Sequence, residues 1–160
     1  MLTPFSRRTI PNVRPITPDW SADCAALHAP SFSHPWSEFE FERLLAAENS
    51  LADGAFEGDG KRLLGFVLSR RAVDEAEILT VVVEAAVRQR GLGGALIGSH
   101  LARLAAFGTK AVFLEVEEGN RPALTLYRHY DFHEVGRRHG YYRKVSGAPA
   151  TALVLRRDIQ

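Results

Sequence analysis

Apolar residues recur along this chain in two rhythms, one of about 3.6 residues and one of 2, and the changes between them mark out the elements. Behind a polar, proline-containing stretch from Met1 to Asn12, read as an arm, Val13-Arg14-Pro15-Ile16 forms a short strand candidate. Pro15 cannot donate to a ladder, which assigns that strand to a sheet edge. Thr17-Pro18 reads as a helix N-cap with proline at the first helical position, and Trp20, Cys24 and Leu27 follow at helical spacing. Ser37-Glu38-Phe39-Glu40 is a capping box, with Trp36 and Phe41 set as the hydrophobic staple around it. Phe41, Leu44 and Leu45 supply that helix's buried stripe and Asn49 its end.

The period then drops to 2. Leu51 to Glu57 and Arg62 to Ser69 are strand-like runs joined by Gly58-Asp59-Gly60, the pattern of a hairpin. Glu77-Ile78-Leu79-Thr80-Val81-Val82-Val83 is β-branched or apolar almost throughout, as a central strand covered on both faces should be. Leu92 to Phe107 returns to the helical period, with Gly94, Ile97, Leu101, Leu104 and Ala105 on one stripe and Gly108 as the stop. Ala111 to Val116 is a further strand. Asn120 and Pro122 open a short helix through Leu124 and Tyr127 to Tyr130, and Phe132 to Arg138 and Thr151 to Arg156 close the chain as strands. The order β-α-α-β-β-β-α-β-α-β-β predicts an α/β (α+β) domain, a mixed, mostly antiparallel sheet flanked by helices.

Composition narrows the function. The 160 residues, 46% hydrophobic and 24% charged, suit one globular domain across residues 1–160. Twenty Lys and Arg against nineteen Asp and Glu leave a net charge of +1, which excludes a field-driven nucleic-acid binder; no direct nucleic-acid contact is expected. The lone Cys24 can form neither an intramolecular disulfide nor a cysteine-based zinc site and fits a reducing cytoplasm. Ser6-Arg7-Arg8 runs into Thr9-Ile10-Pro11-Asn12 rather than an apolar segment, so it is not an export signal. Apolar runs such as Ile78 to Val83 fall far short of the roughly 20 residues of a membrane span. The expectation is a cytoplasmic, unanchored protein that makes no membrane contact. No metal is expected from the six histidines, since Asp131-Phe132 should end the helix between His129 and His133.

The chemistry concentrates after the central strand. In Arg88-Gln89-Arg90-Gly91-Leu92-Gly93-Gly94-Ala95 the glycines let backbone amides converge at a helix N-terminus, a concavity suited to phosphate, and two arginines flank it. Glycines alone would equally serve tight strand–helix packing. No Gly-Lys-Ser/Thr follows, and Leu96 occupies the place of the third glycine of a dinucleotide fingerprint.

This run resembles the acetyl-CoA pyrophosphate loop of the GNAT superfamily of N-acetyltransferases, and the element order matches that fold from Val13 onward. Three further stretches are similar to one branch, the RimI family of ribosomal-protein alanine N-acetyltransferases. They are His34-Pro35-Trp36-Ser37; Phe113-Leu114-Glu115-Val116 with Asn120 and Leu126-Tyr127; and Val135-Gly136-Arg137-Arg138 with Tyr141-Tyr142. The resemblance implies transfer of acetyl from acetyl-CoA, a cosubstrate, to a primary amine by direct attack. The acceptor it implies is a protein N-terminal α-amine, in the family the alanine of a ribosomal protein. A small-molecule amine, or a non-catalytic acyl-CoA-binding module, are the alternatives. A monomer or weak dimer is expected.

The resemblance also implies roles. Glu115 would be the catalytic base and Tyr127 the general acid beside the CoA sulfur. Leu79, Val81, Val82 and Val83 would splay from the next strand and offer amides to the pantetheine. Arg88, Gln89, Arg90, Gly91, Leu92, Gly93, Gly94 and Ala95 would hold the pyrophosphate, with Asn120 and Tyr127 also against the cofactor. His34, Trp36, Glu115, Arg138 and Tyr141 would meet the acceptor. From the residues alone Glu115 reads as a surface or ion-paired carboxylate, Tyr127 as a core aromatic and Asn120 as an N-cap, and only the resemblance turns the first two toward catalysis. Two departures from the family pattern stand out. Tyr130-Asp131-Phe132 replaces Leu-Gly-Phe, so Asp131 should take the left-handed conformation. Arg143-Lys144 and Ser146 to Pro149 replace an acidic loop.

Overall fold

A computed structural model of the protein describes residues 12–143 and 149–159, with the side chains of 141–143 and 149 outside that description. Among these residues seven strands form one sheet: β1 (Asn12–Pro15), β2 (Ser50–Phe56), β3 (Leu63–Ala72), β4 (Glu75–Val83), β5 (Ala111–Glu117), β6 (His133–Arg143) and β7 (Pro149–Asp158). Their spatial order is β1-β2-β3-β4-β5-β7-β6, antiparallel at every step except β4–β5. β1, with Pro15 at its end, lies on the edge that the proline predicted.

Among the described residues four helices cover the sheet: α1 (Ser21–His28), α2 (Glu38–Ala46), α3 (Leu92–Ala106) and α4 (Arg121–His129). The Ser37/Glu40 capping box is complete, and the Trp36 and Phe41 rings meet at 5.6 Å. Thr17 caps a 3-10 turn over Pro18–Trp20, and α1 starts only behind it. α2 ends at Ala46, three residues before Asn49. One side of the sheet packs against α3 and α4 around Ile78, Leu96, Ile97, Leu104, Val112 and Leu114; the other packs against α1 and α2 around Cys24, Phe41, Phe66, Leu68 and Val82. β4 is thus buried from both sides, as its composition required.

The stripe of α3 is rotated from the one expected. Ala105 is exposed and Gly94 half-buried, whereas Leu92, Leu96 and His100 are buried. The apolar spacing passed over His100 because a histidine does not count as core. It is fully buried because its polar atoms are met: the Nδ1–H donates to Asp53 Oδ2 at 2.7 Å, and Nε2 shares a hydrogen bond with the Ser69 hydroxyl at 2.6 Å. Arg103, one turn further on, pairs with the other oxygen of Asp53 and donates to the Ala52 carbonyl at 3.1 Å. This network ties α3 to β2 and β3.

Two features shape the active end of the sheet. β4 pairs with β5 only from Glu75 to Ile78, while β5 runs on to Glu117 against β7 and β4 runs on to Val83 against β3. A slit therefore opens between Leu79–Val83 and the end of β5. At its apex Leu68 pairs with Thr80 and Ser69 with Ile78, leaving Leu79 as a bulge. The extra residue flips the alternation, so Ala76 and Ile78 share a face with Val81 and Val83 while Leu79 joins Val82 on the α1–α2 side.

Candidate active site

The slit sits between two kinds of surface. On β5, Leu114 and Val116 point into the α3–α4 core, and alternation turns Glu115 to the α1–α2 side. Its side chain is 20% exposed and ion-paired with Arg138 of β6, Nε to Oε1 3.1 Å. The two residues matched separately to a base and an acceptor contact are therefore neighbours. Tyr127 lies on the other side, in the core with α3 and α4. It is 8% exposed, edge-on to Phe132 at 5.7 Å, and its hydroxyl makes no hydrogen bond among the described residues. Burial pushes its phenol up to about 12, so it stays protonated. A carboxylate and a phenol thus lie on opposite faces of the sheet.

Beyond β4 the chain makes a short 3-10 turn at Ala85–Val87 and then the arginine- and glycine-rich turn. Gly91 adopts φ 82° and Gln89 φ 67°. Two left-handed residues so close together turn successive amides inward, the geometry of an anion nest. The spacing of glycines marked Gly91 but gave no sign that Gln89 would share its conformation. α3 begins without a side-chain cap, so the amides of Leu92, Gly93 and Gly94 are left for a ligand, whereas the Ala95 amide already donates to the Gly91 carbonyl at 3.1 Å. The Ala95 amide is thus withdrawn from the expected phosphate set. The Leu92 side chain belongs to the core, leaving its amide alone available.

The glycines of α3 have a second role. A Cβ at Gly93 would lie 3.3 Å from the Leu126 side chain; at Gly94 it would press on the Tyr130 hydroxyl, 3.3 Å away, and at Gly98 on the Tyr130 ring, 3.4 Å away. The Tyr130 hydroxyl donates to the Gly94 carbonyl at 2.6 Å. Absent side chains on α3 let α4 come close, and α4 carries Tyr127. Tyr130 was read only as a helix end; its part in this contact was invisible without the partner helix. Accordingly Gly93→Leu should weaken CoA binding about tenfold in calorimetry by pushing α4 away. Adding Leu126→Ala should recover most of it; no recovery would return Gly93 to a direct role at the phosphate.

Arg88 is exposed but engaged: Nε–H donates to the Val83 carbonyl at 3.0 Å and NH2 to the Ser31 hydroxyl at 3.2 Å. It clamps the open end of β4 to the α1–α2 connection. Arg90 is exposed. Asn120 caps α4, its Oδ1 accepting from the Ala123 amide at 3.3 Å. Asp131 takes φ 63°, the left-handed conformation expected where the pattern has glycine. Trp36 is half-buried on the α1–α2 connection; His34 beside it is exposed, and the imidazole that contacts Trp36 is that of His28. The Tyr141 and Tyr142 side chains, and Lys144 to Ala148, lie outside the described residues, as do Met1 to Pro11 of the expected arm, whereas Asn12, assigned to that arm, is the first residue of β1. Among the described residues no helix is long and apolar enough to cross a membrane.

Residues 21–132 match the model of the acetyltransferase (GNAT) family. The chain is 39% identical over 141 residues to the N-alpha-acetyltransferase RimI of Mycobacterium tuberculosis, covering 84% of each. It is 34% identical to an uncharacterized protein of Mycobacterium leprae, aligning 94% of this chain with 45% of that longer protein, so it spans about half of that relative's length. Among solved structures, the ribosomal-protein-S18-alanine N-acetyltransferase of Escherichia coli superposes with a TM-score of 0.86, over 94% of this chain and 95% of that one, at 22% identity.

Proposed function

The chain belongs to the GNAT acetyltransferase family, and from that premise we propose that it transfers acetyl from acetyl-CoA to the N-terminal α-amine of a protein. The acceptor we favour is an N-terminal alanine of the kind named for the Escherichia coli structural neighbour, on a ribosomal protein. The observation that carries this reading is the parting of β4 from β5 beyond Ile78, with Glu115 on the α1–α2 face of the sheet and Tyr127 on its α3–α4 face. Donor and acceptor can enter such an opening from opposite faces of the sheet and meet inside it. Both faces come from one chain, so a monomer suffices, with residues 1–160 acting as one acetyltransferase domain. A cytoplasmic site of action follows from the pairing of acetyl-CoA with a ribosomal acceptor.

In this reading the neutral amine attacks the thioester carbonyl, the C–N bond forms and the C–S bond breaks. The amine proton passes to Glu115, directly or through a water, and the Tyr127 hydroxyl donates to the departing sulfur. The nest at Gln89–Gly91 and the free amides of α3 hold the pyrophosphate. Amides of Leu79 to Val83, unpaired toward β5, meet the pantetheine. Cys24 is fully buried on α1 and its thiol is pushed up to about 12 by burial, so it is no carrier of an acetyl intermediate.

An α-amine suits one carboxylate base. Its pKa is about 7.7–8.0 against about 10.4 for lysine, so an appreciable fraction is already neutral at pH 7. Peptides differing only in their first residue, with an N-terminally blocked lysine peptide among them, distinguish the acceptors by intact mass. We expect the free N-termini to gain acetyl, alanine foremost, and the blocked peptide to gain none. Equal modification of the blocked peptide would overturn the α-amine reading, and modification of no peptide would favour a small-molecule amine.

A further inference from the structure

The connection between α1 and α2 forms one bank of the slit on the face that carries Glu115, because Arg88 binds Ser31 to the open end of β4. Beneath that bank lies His28, the last residue of α1 and only 2% exposed. Its ring stacks on Phe32 at 4.0 Å and on Trp36 at 4.9 Å, both within 13° of parallel, and meets Phe41 edge-on at 5.3 Å. Its Nδ1 accepts the backbone N–H of Trp36 at 3.2 Å. A ring nitrogen that accepts carries no proton, so this contact requires the neutral imidazole with its proton on Nε2.

We propose that His28 is a positioning residue for the acceptor: as a neutral ring it holds residues 29–37 in the form that receives the substrate chain, and its protonation releases them. The proposal rests on the α-amine reading only for what that bank receives. Protonation places an N–H on Nδ1 opposite the Trp36 N–H, two donors facing one another, and the hydrogen bond is lost. The contact is intact at neutral pH because burial lowers the proton affinity of His28 from its ordinary value; the Glu40 carboxylate of α2 works more weakly in the other sense. Phe32, Trp36 and Phe41 supply the remaining ring contacts. With the folded value below the unfolded one, the contribution to stability is complete above about pH 6.5 and is lost as pH falls through the folded value.

The test uses a ligand without a titrating amine, the N-acetylated peptide product, and compares its affinity with that of CoA from about pH 5 to 8, the range in which histidine changes charge. In the wild type, peptide affinity should fall at least about fivefold in acid while CoA affinity holds. His28→Asn keeps an acceptor oxygen near the Nδ1 position and cannot titrate; it should bind peptide well at neutral pH and lose the acid effect. His28→Phe keeps the ring stack and leaves the Trp36 amide unpaired; it should bind peptide weakly at every pH and CoA normally. Proton NMR adds a readout independent of turnover: the His28 Cε1–H and Trp36 amide signals should titrate together. A Trp36 amide that ignores the His28 titration, or an Asn variant that retains the acid loss, would overturn the proposal. Peptides refused at every pH despite a coupled titration would count against the α-amine acceptor, while supporting the hold of His28 on the loop.

Discussion

Tyr127→Phe is expected to lower kcat by about two to three orders of magnitude, the range of a lost general acid, and to leave CoA affinity within about a factor of two. The ring is what the fold uses: it packs edge-on to Phe132 in the α3–α4 core, and phenylalanine fills the same space. The hydroxyl has no hydrogen-bonding partner among the described residues, so removing it breaks no structural bond, and the melting temperature should hold or rise slightly. A fall in kcat without a change in donor binding is the signature of an interaction made only as the C–S bond breaks. The pH profile supplies a second check. Because burial pushes the Tyr127 phenol up to about 12, its ionisation lies above any usable assay range. Any alkaline limb in the wild type therefore belongs to another group and must persist in the variant. Turnover within about threefold of wild type would remove Tyr127 from the chemistry.

Asp53→Leu is expected to be the most destabilising single change described for this protein. Asp53 is 1% exposed and serves two partners, accepting from His100 Nδ1–H at 2.7 Å and pairing with Arg103. Leucine leaves the imidazole N–H without an acceptor and Arg103 without its counter-charge. Orphaning the buried imidazole N–H costs about 1–3 kcal/mol, and leaving the part-buried Arg103 without its counter-charge raises the total to about 3–5 kcal/mol. For a chain of this size each kcal/mol shifts the midpoint by roughly 2–4 °C, so a fall of about 6–20 °C is expected by calorimetry. The penalty comes from orphaned groups rather than from lost attraction. Asp53→Leu combined with His100→Phe and Ser69→Ala should therefore recover much of the loss, because an apolar replacement of similar volume leaves fewer unpaired atoms. A triple variant no more stable than the single would mean that the network contributes attraction beyond mere satisfaction.

The elements themselves were legible in the linear chain because each is specified by neighbours within a few residues. The capping box at Ser37 and Glu40 closes across three positions, the turn at Gly58-Asp59-Gly60 joins adjacent strands, and Asp131 takes up its left-handed φ inside the Tyr127–Phe132 turn. The motif that identified the family, Arg88 to Ala95, is local for the same reason: a phosphate nest is built from consecutive amides. The strand alternation placing Glu115 opposite Leu114 and Val116 also followed from period 2 alone.

Tertiary structure decided whatever depends on partners distant in sequence. Glu115 faces Arg138 because β7 inserts between β5 and β6, a strand order that no local pattern contains. His100 is buried because Asp53 and Ser69, 47 and 31 residues away, satisfy its nitrogens. Gly93, Gly94 and Gly98 lack side chains partly for the benefit of Leu126 and Tyr130, residues that meet them only once α4 docks on α3. Imidazoles are hard to read from a linear chain for one physical reason. The sequence shows a histidine as polar, and only its neighbours in space decide whether each nitrogen donates, accepts or meets water, which is why His34 drew notice and His28 carried the contact.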